Sequence, residues 1–525
     1  MLIYLIFYTI SDILEMIFLK EEKMYKNILE YLEETKQKYP NKLAFVDAKR
    51  EATYEEIVEN SRKIGMALAK KRIEHKPIAI FIDKTVNCLE SMFGVLYGGG
   101  FYTIIDTKSP IERINLILNT LEPAIVITDN KNLSKAKEYG IADNILIYEE
   151  MLQEKTNNEE LNNIRNKMID TDPMYVLFTS GSTGIPKGTV ISHKAVISYA
   201  NWATTTFEIT SDTIWGSQTP FYFSMSITDV FSTVLSGATF YIIPKMYFSF
   251  PIKLLEFINE KKINTIYWVP SALCIVANFK ALDEIELPNL KKVLFAGEVM
   301  PVKQLNMWIE KLPNTMFANL FGPTETTDIC TYYIVNRKFN NDESLPIGQA
   351  CNNCDVMIVK EDGTEANIDE DGELCVRGSF LASGYYNNPE KTASVFVQNP
   401  LNKCYLETVY KTGDIVKYND RGELIYLSRK DFQIKHMGYR IELGEIENAA
   451  NNIEGIIICA CVYDIEKSQI VLFYQGDELE ENDVLSAIKN KVPTYMCPNK
   501  IVKLLRMPYN ANGKIDRVNL KNMLK

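Results

Sequence analysis

Residues Tyr175 to Gly188 read YVLFTSGSTGIPKG. The apolar opening, rich in β-formers, predicts a buried strand. The stretch from Thr179 onward is a loop of Gly, Ser and Thr closed by one lysine. Beyond it, VISHKAVISYANWAT places apolar residues at helical spacing, with Ser192 as a candidate N-cap. The expected order is therefore strand, loop, helix. Backbone N–H groups of such a loop cradle anionic oxygens, and a following helix N-terminus adds to the effect. The loop is not a Walker A motif. Lys187 precedes Gly188, and no Ser or Thr stands where that motif holds Mg2+. The hydroxyls of Thr179, Ser182 and Thr183 come before the lysine instead.

The chain has 525 residues, which predicts two or three domains. A composition of 46% hydrophobic and 24% charged residues is that of a globular protein. A net charge of −11 argues against nucleic acid as a partner, because phosphate contact needs a basic face. Ten cysteines are too sparse for a disulfide framework, and the one CxxC, Cys351 and Cys354, has no second ligand pair at metal spacing. The three histidines, His75, His193 and His436, are too few and too scattered for a histidine metal centre or triad. The first residues, MLIYLIFYTISDILEMIFLKEEK, are apolar but interrupted by Asp12 and Glu15. They lack a basic start and a small-residue cleavage site, so they do not read as a signal peptide. No membrane insertion is expected, and a cytoplasmic location follows. Residues 1–23 read as an extension from a start called too early. MYKNILEYLEE, from Met24, reads as an amphipathic first helix.

After Met24, apolar strands alternate with helices: KPIAIFID, PAIVITD, INTIYWVP and KKVLFAGE are strands, and CLESMFGVLYGG is a helix. This rhythm predicts an α/β fold with parallel-rich sheets. From about Leu345 the segments EDGTE, DEDGELCVRG and YNDRGELIYL signal hairpins and a β-rich subdomain. The last stretch reads as a small α+β domain of about 95 residues. The expected division is a large domain over 24–427, a hinge at 428–432 and a small mobile domain over 433–525.

Four further stretches stand in order after the loop. They are ANLFGPTETT (Ala318–Thr327), VYKTGD (Val409–Asp414), SRKDFQIKHMGYRIELGEIE (Ser428–Glu447) and NANGKIDR (Asn510–Arg517). Together with TSGSTGIPKG they resemble the adenylate-forming superfamily of acyl-CoA synthetases, luciferases and the adenylation domains of nonribosomal peptide synthesis. The resemblance runs from about Met24 to the C-terminus. FAGEVMP and RKDFQIKHMGYR resemble the peptide-synthetase branch, and within it the stand-alone D-alanine–carrier ligases. It implies an ATP- and Mg2+-dependent ligase in which a carboxylate attacks the α-phosphate and a thiol then displaces AMP.

By that resemblance, residues Thr179, Ser180, Gly181, Ser182, Thr183, Gly184 and Lys187 wrap the β- and γ-phosphates. Thr324 and Glu325 belong to the catalytic turn Gly322–Thr326, with Glu325 as the Mg2+ ligand, a hard oxygen for a hard cation. Phe321 stacks on adenine, where the family more often has Tyr, and Asn319 and the Gly297–Glu298 backbone border its edge. Asp414 accepts from the ribose hydroxyls, with Arg429 near ribose and phosphate. Lys514 bridges carboxylate and α-phosphate. Asp431 matches the hinge, with Ser428 in place of the usual Gly. The small domain turns between the two steps, Lys514 serving the first and the Gly438–Glu445 strand the second.

PFYFSMSITDVF, Pro220 to Phe231, departs from the family. Amino-acid-activating members carry F-D-x-S here, the Asp holding the α-ammonium; this chain has Phe223, Ser224, Met225 and Ser226. A buried ammonium without that carboxylate loses several kcal/mol. Either the substrate has no α-ammonium or another acid replaces the Asp. Asp328 is the candidate among the matching positions Met225, Thr228, Tyr267, Leu294, Ala296, Leu320 and Ile329. It suits an amino group placed elsewhere, as in a β- or ω-amino acid or a basic side chain. An α-amino acid held by Asp328, or an Asp328 turned to solvent, stays open. The expected partners are a small carboxylic or amino acid and the phosphopantetheine thiol of a separate carrier protein, since no carrier serine motif follows Lys514. The alternatives are an acyl- or aryl-CoA ligase using free CoA, and a catalytically silent adenylate-binding protein.

Overall fold

The computed structural model describes residues 24–140, 144–181, 184–341, 343–431, 433–476, 479–509 and 515–524. Ser182, Thr183 and Lys514 lie outside the described residues, as does the 1–23 extension.

Two large sheets carry the first part of the chain. One has nine strands, with Met316–Phe321, Lys292–Phe295, Thr265–Trp268, Ile214–Ser217, Thr239–Ile242 and Leu43–Val46 side by side and parallel. The other has seven, built on Pro173–Thr179, Phe101–Ile104, Pro77–Phe81, Ile125–Thr128 and Ile145–Ile147, again parallel. Helices cover both faces, so residues of both parities are buried. Every residue of Pro77–Phe81, Phe101–Ile104 and Thr265–Trp268 is buried, which explains why these strands read as continuous apolar runs. The predicted first helix spans Ile28–Lys38, and CLESMFGVLYGG lies in the helix Val86–Tyr97.

The expected hairpin region forms a five-stranded antiparallel sheet over residues 354–429. Ser428 and Arg429 still pair there, opposite Ile415 and Asp414. The last unit begins with the hairpin Gln433–His436/Tyr439–Glu442 and continues as the helix Leu443–Asn451 and a three-stranded sheet, Ile456–Asp464, Gln469–Gly476 and Lys500–Lys503. Both faces of that sheet carry their own apolar cluster. The GYRIELGE segment is thus a strand only to Glu442. Glu445 faces the large unit from the first turn of a helix, because Ile441, Leu443 and Ile446 pack into the small unit's core.

His193, fully buried at the start of the helix His193–Thr206, accepts at Nδ1 from the Ile28 N–H at 3.3 Å. Burial pulls its pKa down to about 3, and a helix N-terminus also disfavours imidazolium. The unfolded chain takes up this proton first, so stability present above pH ~6.5 falls as pH drops toward 3, by about 1.4 kcal/mol per unit. Urea unfolding between pH 7 and 4 should show a steeper acid loss for the wild type than for His193→Gln.

Candidate functional site

The strand Pro173–Thr179 turns back through the Gly-rich loop into a second strand, Lys187–Ser192, with Thr179 paired opposite Lys187. The expected direct passage from loop to helix does not occur. Gly188, Thr189, Val190 and Ile191 continue the ladder of Val176 and Leu177 with a period of two. Only then does the helix His193–Thr206 begin, capped as expected by Ser192, whose hydroxyl accepts from the Ala195 N–H at 3.2 Å. The helix dipole sits a full strand away from the loop. The positive charge beside the loop is that of Lys187, not the helix N-terminus. Ser180 is turned aside, its hydroxyl donating to the Arg440 carbonyl at 2.7 Å. Thr179 Oγ1 is buried without a hydrogen-bond partner among the described residues, and Gly184 sits at φ +83°.

Lys187 is buried, its Nζ 3.8 Å from Glu325 Oε1 and above the Tyr385 ring. Burial, then the nearby Arg440, lowers its pKa to about 8. Glu325 is fully buried. Its Oε1 accepts from the Tyr385 hydroxyl at 2.6 Å and its Oε2 from Arg440 Nη1 at 2.8 Å. Burial alone would raise its pKa; Arg440, Lys187 and the Tyr385 hydroxyl outweigh that and bring it to about 2.

The turn carrying Glu325 is tightly folded. A Cβ on Gly322 would lie 2.5 Å from Ile329 Cα and 2.6 Å from the Asp328 carbonyl, so only glycine lets the chain double back there. Thr327 has φ +68°, a region that β-branched residues avoid, and its buried hydroxyl is tied to the Phe380 carbonyl at 2.8 Å. Such backbone strain costs on the order of 1–3 kcal/mol. This turn sends Glu325 toward Lys187 and Asp328 into a different set of neighbours.

Those neighbours are hydroxyls. Oδ2 of Asp328 accepts from Thr228 at 2.8 Å, Tyr199 at 3.0 Å and Tyr267 at 3.1 Å. The Ser224 hydroxyl also reaches Asp328 and lies 3.4 Å from Thr324 Oγ1. Met225, Leu294, Ala296, Leu320 and Ile329 are buried, and Tyr267 and Leu294 pair across adjacent parallel strands. The carboxylate is not turned to solvent. Burial raises its pKa against the pull of the four hydroxyls. Phe223 stands apart from the rest, edge-on to Tyr439 of the C-terminal unit at 4.6 Å.

On the other side of the turn, Lys435 Nζ lies 4.2 Å above the Phe321 ring. Asn319 donates to the Pro346 carbonyl at 2.8 Å. Asp414 and Arg429 are cross-strand partners joined at 2.8 Å, and Arg429 also grips Asp431 at 2.7 and 2.9 Å. The Glu298 carboxylate accepts from the Ser271 N–H at the start of the helix Pro270–Asn278. Gly297 (φ +90°) and Gly438 (φ +80°) meet nearly backbone to backbone, and a Cβ on Gly438 would strike Val269 at 2.3 Å.

The C-terminal hairpin is thus inserted at the site, with Arg440 on Glu325 and Gly438 beside Gly297. A buried ion pair, Arg113 with Glu445, fastens the two units. The sequence motifs include most of these positions. Tyr199 and Arg113, on helices, and Tyr385, on the short strand Gly384–Tyr385, escape them, because nothing in their local sequence marks them. Arg440 lies within a motif, but nothing local assigns it a partner.

The chain matches the AMP-binding enzyme family over residues 32–386. It is 30% identical over 501 residues to zwittermicin A synthase ZmaJ of Bacillus cereus, covering 93% of this chain and 94% of that protein. It is also 30% identical to a D-alanine–D-alanyl carrier protein ligase of Bacillus cytotoxicus, covering 94% and 98%. The chain spans 44% of the length of tyrocidine synthase 1 from Brevibacillus parabrevis. Among solved structures, the Vibrio cholerae adenylation domain AlmE, in complex with glycyl-adenosine-5'-phosphate, superposes with a TM-score of 0.81 at 21% identity, covering 96% of this chain and 98% of that one. The chain belongs to the AMP-binding enzyme family. It is an AMP-forming ligase that adenylates a small carboxylic or amino acid at the expense of ATP. Among the described residues no helix is long and apolar enough to cross a membrane.

Proposed function

We propose that this ligase activates a small acid whose amino group is received by Asp328, and then passes it to the phosphopantetheine thiol of a carrier protein. The observation that carries the proposal is the meeting of three motifs at one carboxylate. Lys187 of the Gly-rich loop, Glu325 of the Gly322–Thr326 turn and Arg440 of the C-terminal hairpin lie within direct contact.

For the first step, the loop from Thr179 to Lys187 holds the phosphates, Phe321 and Asn319 border the adenine with the Gly297–Glu298 backbone, and Asp414 with Arg429 receives the ribose. The residues fit a magnesium ion: Glu325 is buried, ionised and a hard donor, and one carboxylate plus phosphate oxygens is a usual magnesium ligand set. The ion would offset the charge of the phosphates. Thr324 lies beside Ser224 at the mouth of the acid pocket and positions the carboxylate. Lys514 supplies the charge between carboxylate and α-phosphate. Exchange of labelled pyrophosphate into ATP should fall by about three orders of magnitude in Lys514→Ala; unchanged exchange would refute the assignment.

For the second step, residues 433–525 act as a lid hinged at 428–432 on the large unit, 24–427. Withdrawal of Arg440 frees Glu325 for the nucleotide step, and its return accompanies the thiol step. Arg440→Gln should therefore keep pyrophosphate exchange within about threefold and slow transfer of preformed adenylate to holo-carrier by about 10- to 100-fold. Single-turnover assays separate the two, and an equal loss in both steps would count against the lid assignment. Efficient transfer to free CoA with none to a carrier would support the acyl-CoA ligase reading instead.

A further inference from the structure

The helix His193–Thr206 contributes one polar side chain to the acid pocket, Tyr199, from far outside the motifs that define the site. Its fully buried hydroxyl touches both Thr228, at 2.7 Å, and Asp328, at 3.0 Å. Thr228 and Tyr267 donate to the same oxygen of Asp328, and none of the three reaches Oδ1. Tyr199 and Thr228 have one proton each and share the 2.7 Å contact, so one of them donates to the other. With Tyr267 that leaves two donors on Oδ2, one for each lone pair, and three elements packed against one carboxylate oxygen fix its position.

The remaining hydroxyl on Asp328 belongs to Ser224, which on its other side lies 3.4 Å from Thr324. Thr324 stands next to Glu325, at the end of the pocket where the reaction takes place. Ser224 occupies the position from which a carboxylate would hold an α-ammonium. Ser224 contacts both Asp328 and Thr324, so it stands between the Asp328 carboxylate and the Thr324 end of the pocket.

We infer that Tyr199, with Thr228 and Tyr267, is a specificity-determining positioning residue that saturates Oδ2 of Asp328 and presents Oδ1 to the ammonium of a β-amino acid. The inference rests on the amino-acid reading given above. The geometry selects by distance: an α-ammonium reaches the Ser224 hydroxyl, which carries no charge, while a β-ammonium reaches a fixed carboxylate. The surrounding wall of Met225, Leu294, Leu320 and Ile329 suits an aliphatic substituent.

The ionisable groups facing Asp328 are Tyr175 on the strand Pro173–Thr179, Tyr199 on its helix, Asp229 on the helix Ser226–Ser236, Tyr267 on the strand Thr265–Trp268, and Cys351. None of these is a cation. The hydroxyl contacts therefore oppose the rise that burial imposes on this carboxyl's pKa, and loss of one raises it further.

The test is pyrophosphate exchange with three matched probes, β-leucine, leucine and 4-methylpentanoate, in wild type, Tyr199→Phe and Tyr267→Phe. Wild type should favour β-leucine over leucine by at least ~10-fold in kcat/KM. Each Phe variant should raise KM for β-leucine about 10-fold with kcat within about threefold, and move the acid limb of kcat/KM up by about one pH unit. Its KM for 4-methylpentanoate, which has no ammonium, should rise by less than about threefold. An equal KM rise for β-leucine and 4-methylpentanoate, or an unmoved acid limb, would show that Tyr199 only supports the pocket wall and would overturn the inference alone. A wild-type preference for leucine over β-leucine overturns the β placement. Exchange with 4-methylpentanoate only would overturn the amino-acid reading itself.

Discussion

Glu325→Gln is expected to abolish pyrophosphate exchange, with a loss of about 10^3 or more, and to destabilise the resting protein at the same time. The carboxylate is completely buried, and it neutralises Lys187 and Arg440 together. Glutamine keeps the shape and one acceptor but removes the charge. Lys187 and Arg440 then lose the carboxylate that contacts both, with Glu442 left as a more distant opposite charge, and breaking such an arrangement costs about 3–5 kcal/mol. The Tyr385 hydroxyl keeps an amide oxygen to donate to, so the packing survives. On the role proposed for Glu325 the catalytic loss has a separate origin: an amide is a poor ligand for the magnesium ion that Glu325 would hold, and the charge-offsetting that the ion would supply is weakened. The two effects separate experimentally. A compensating Arg440→Gln should recover much of the lost stability, measured by urea unfolding, and recover none of the exchange activity. Recovery of both would mean that Glu325 serves only to hold Arg440.

The second large effect is at Asp328. Asp328→Asn should lower kcat/KM for an amino substrate by about 10^3, and Asp328→Ala should abolish exchange with it, while a matched acid lacking the amino group keeps its rate in Asp328→Asn. A desolvated ammonium that loses its carboxylate costs several kcal/mol. The asparagine retains an oxygen for Tyr199, Thr228 and Tyr267, so the hydroxyl cluster stays satisfied. Alanine leaves those three buried donors without their shared acceptor, each worth about 1–3 kcal/mol, and should cost stability as well. Equal activity of wild type and Asp328→Asn toward an amino acid would exclude Asp328 as its anchor.

Much of the fold is legible in the chain itself. The parallel strands stand out because burial on both faces demands unbroken apolar runs, as in PIAIF and TIYW. The antiparallel region stands out through glycine turns such as Gly363 and Gly422, both at positive φ. Local pattern misleads in GYRIELGE, where the strand gives way to a helix after Glu442, and again just after the Gly-rich loop. Val190 and Ile191 fit a strand or the start of the next helix equally well over so short a span. The pairing of Val190 with Val176 decides for the strand, and that contact is not local.

The acid pocket shows the same limit. Loss of the aspartate at Ser224 is plain in the sequence, and Asp328 stands out as its candidate substitute. The orientation of Asp328 is not legible there, because it depends on Tyr199, 129 residues away, and on Thr228, 100 residues away. Arg440 meets Glu325 across 115 residues, and Arg113 meets Glu445 across 332. The sequence by itself determined the class of reaction, through the order of its motifs and the family they resemble. Only the tertiary structure decided which charge neutralises which and what surrounds the Asp328 carboxylate. A buried carboxylate takes its ionisation and its direction from whatever donors packing brings against it, and those donors are chosen by the fold.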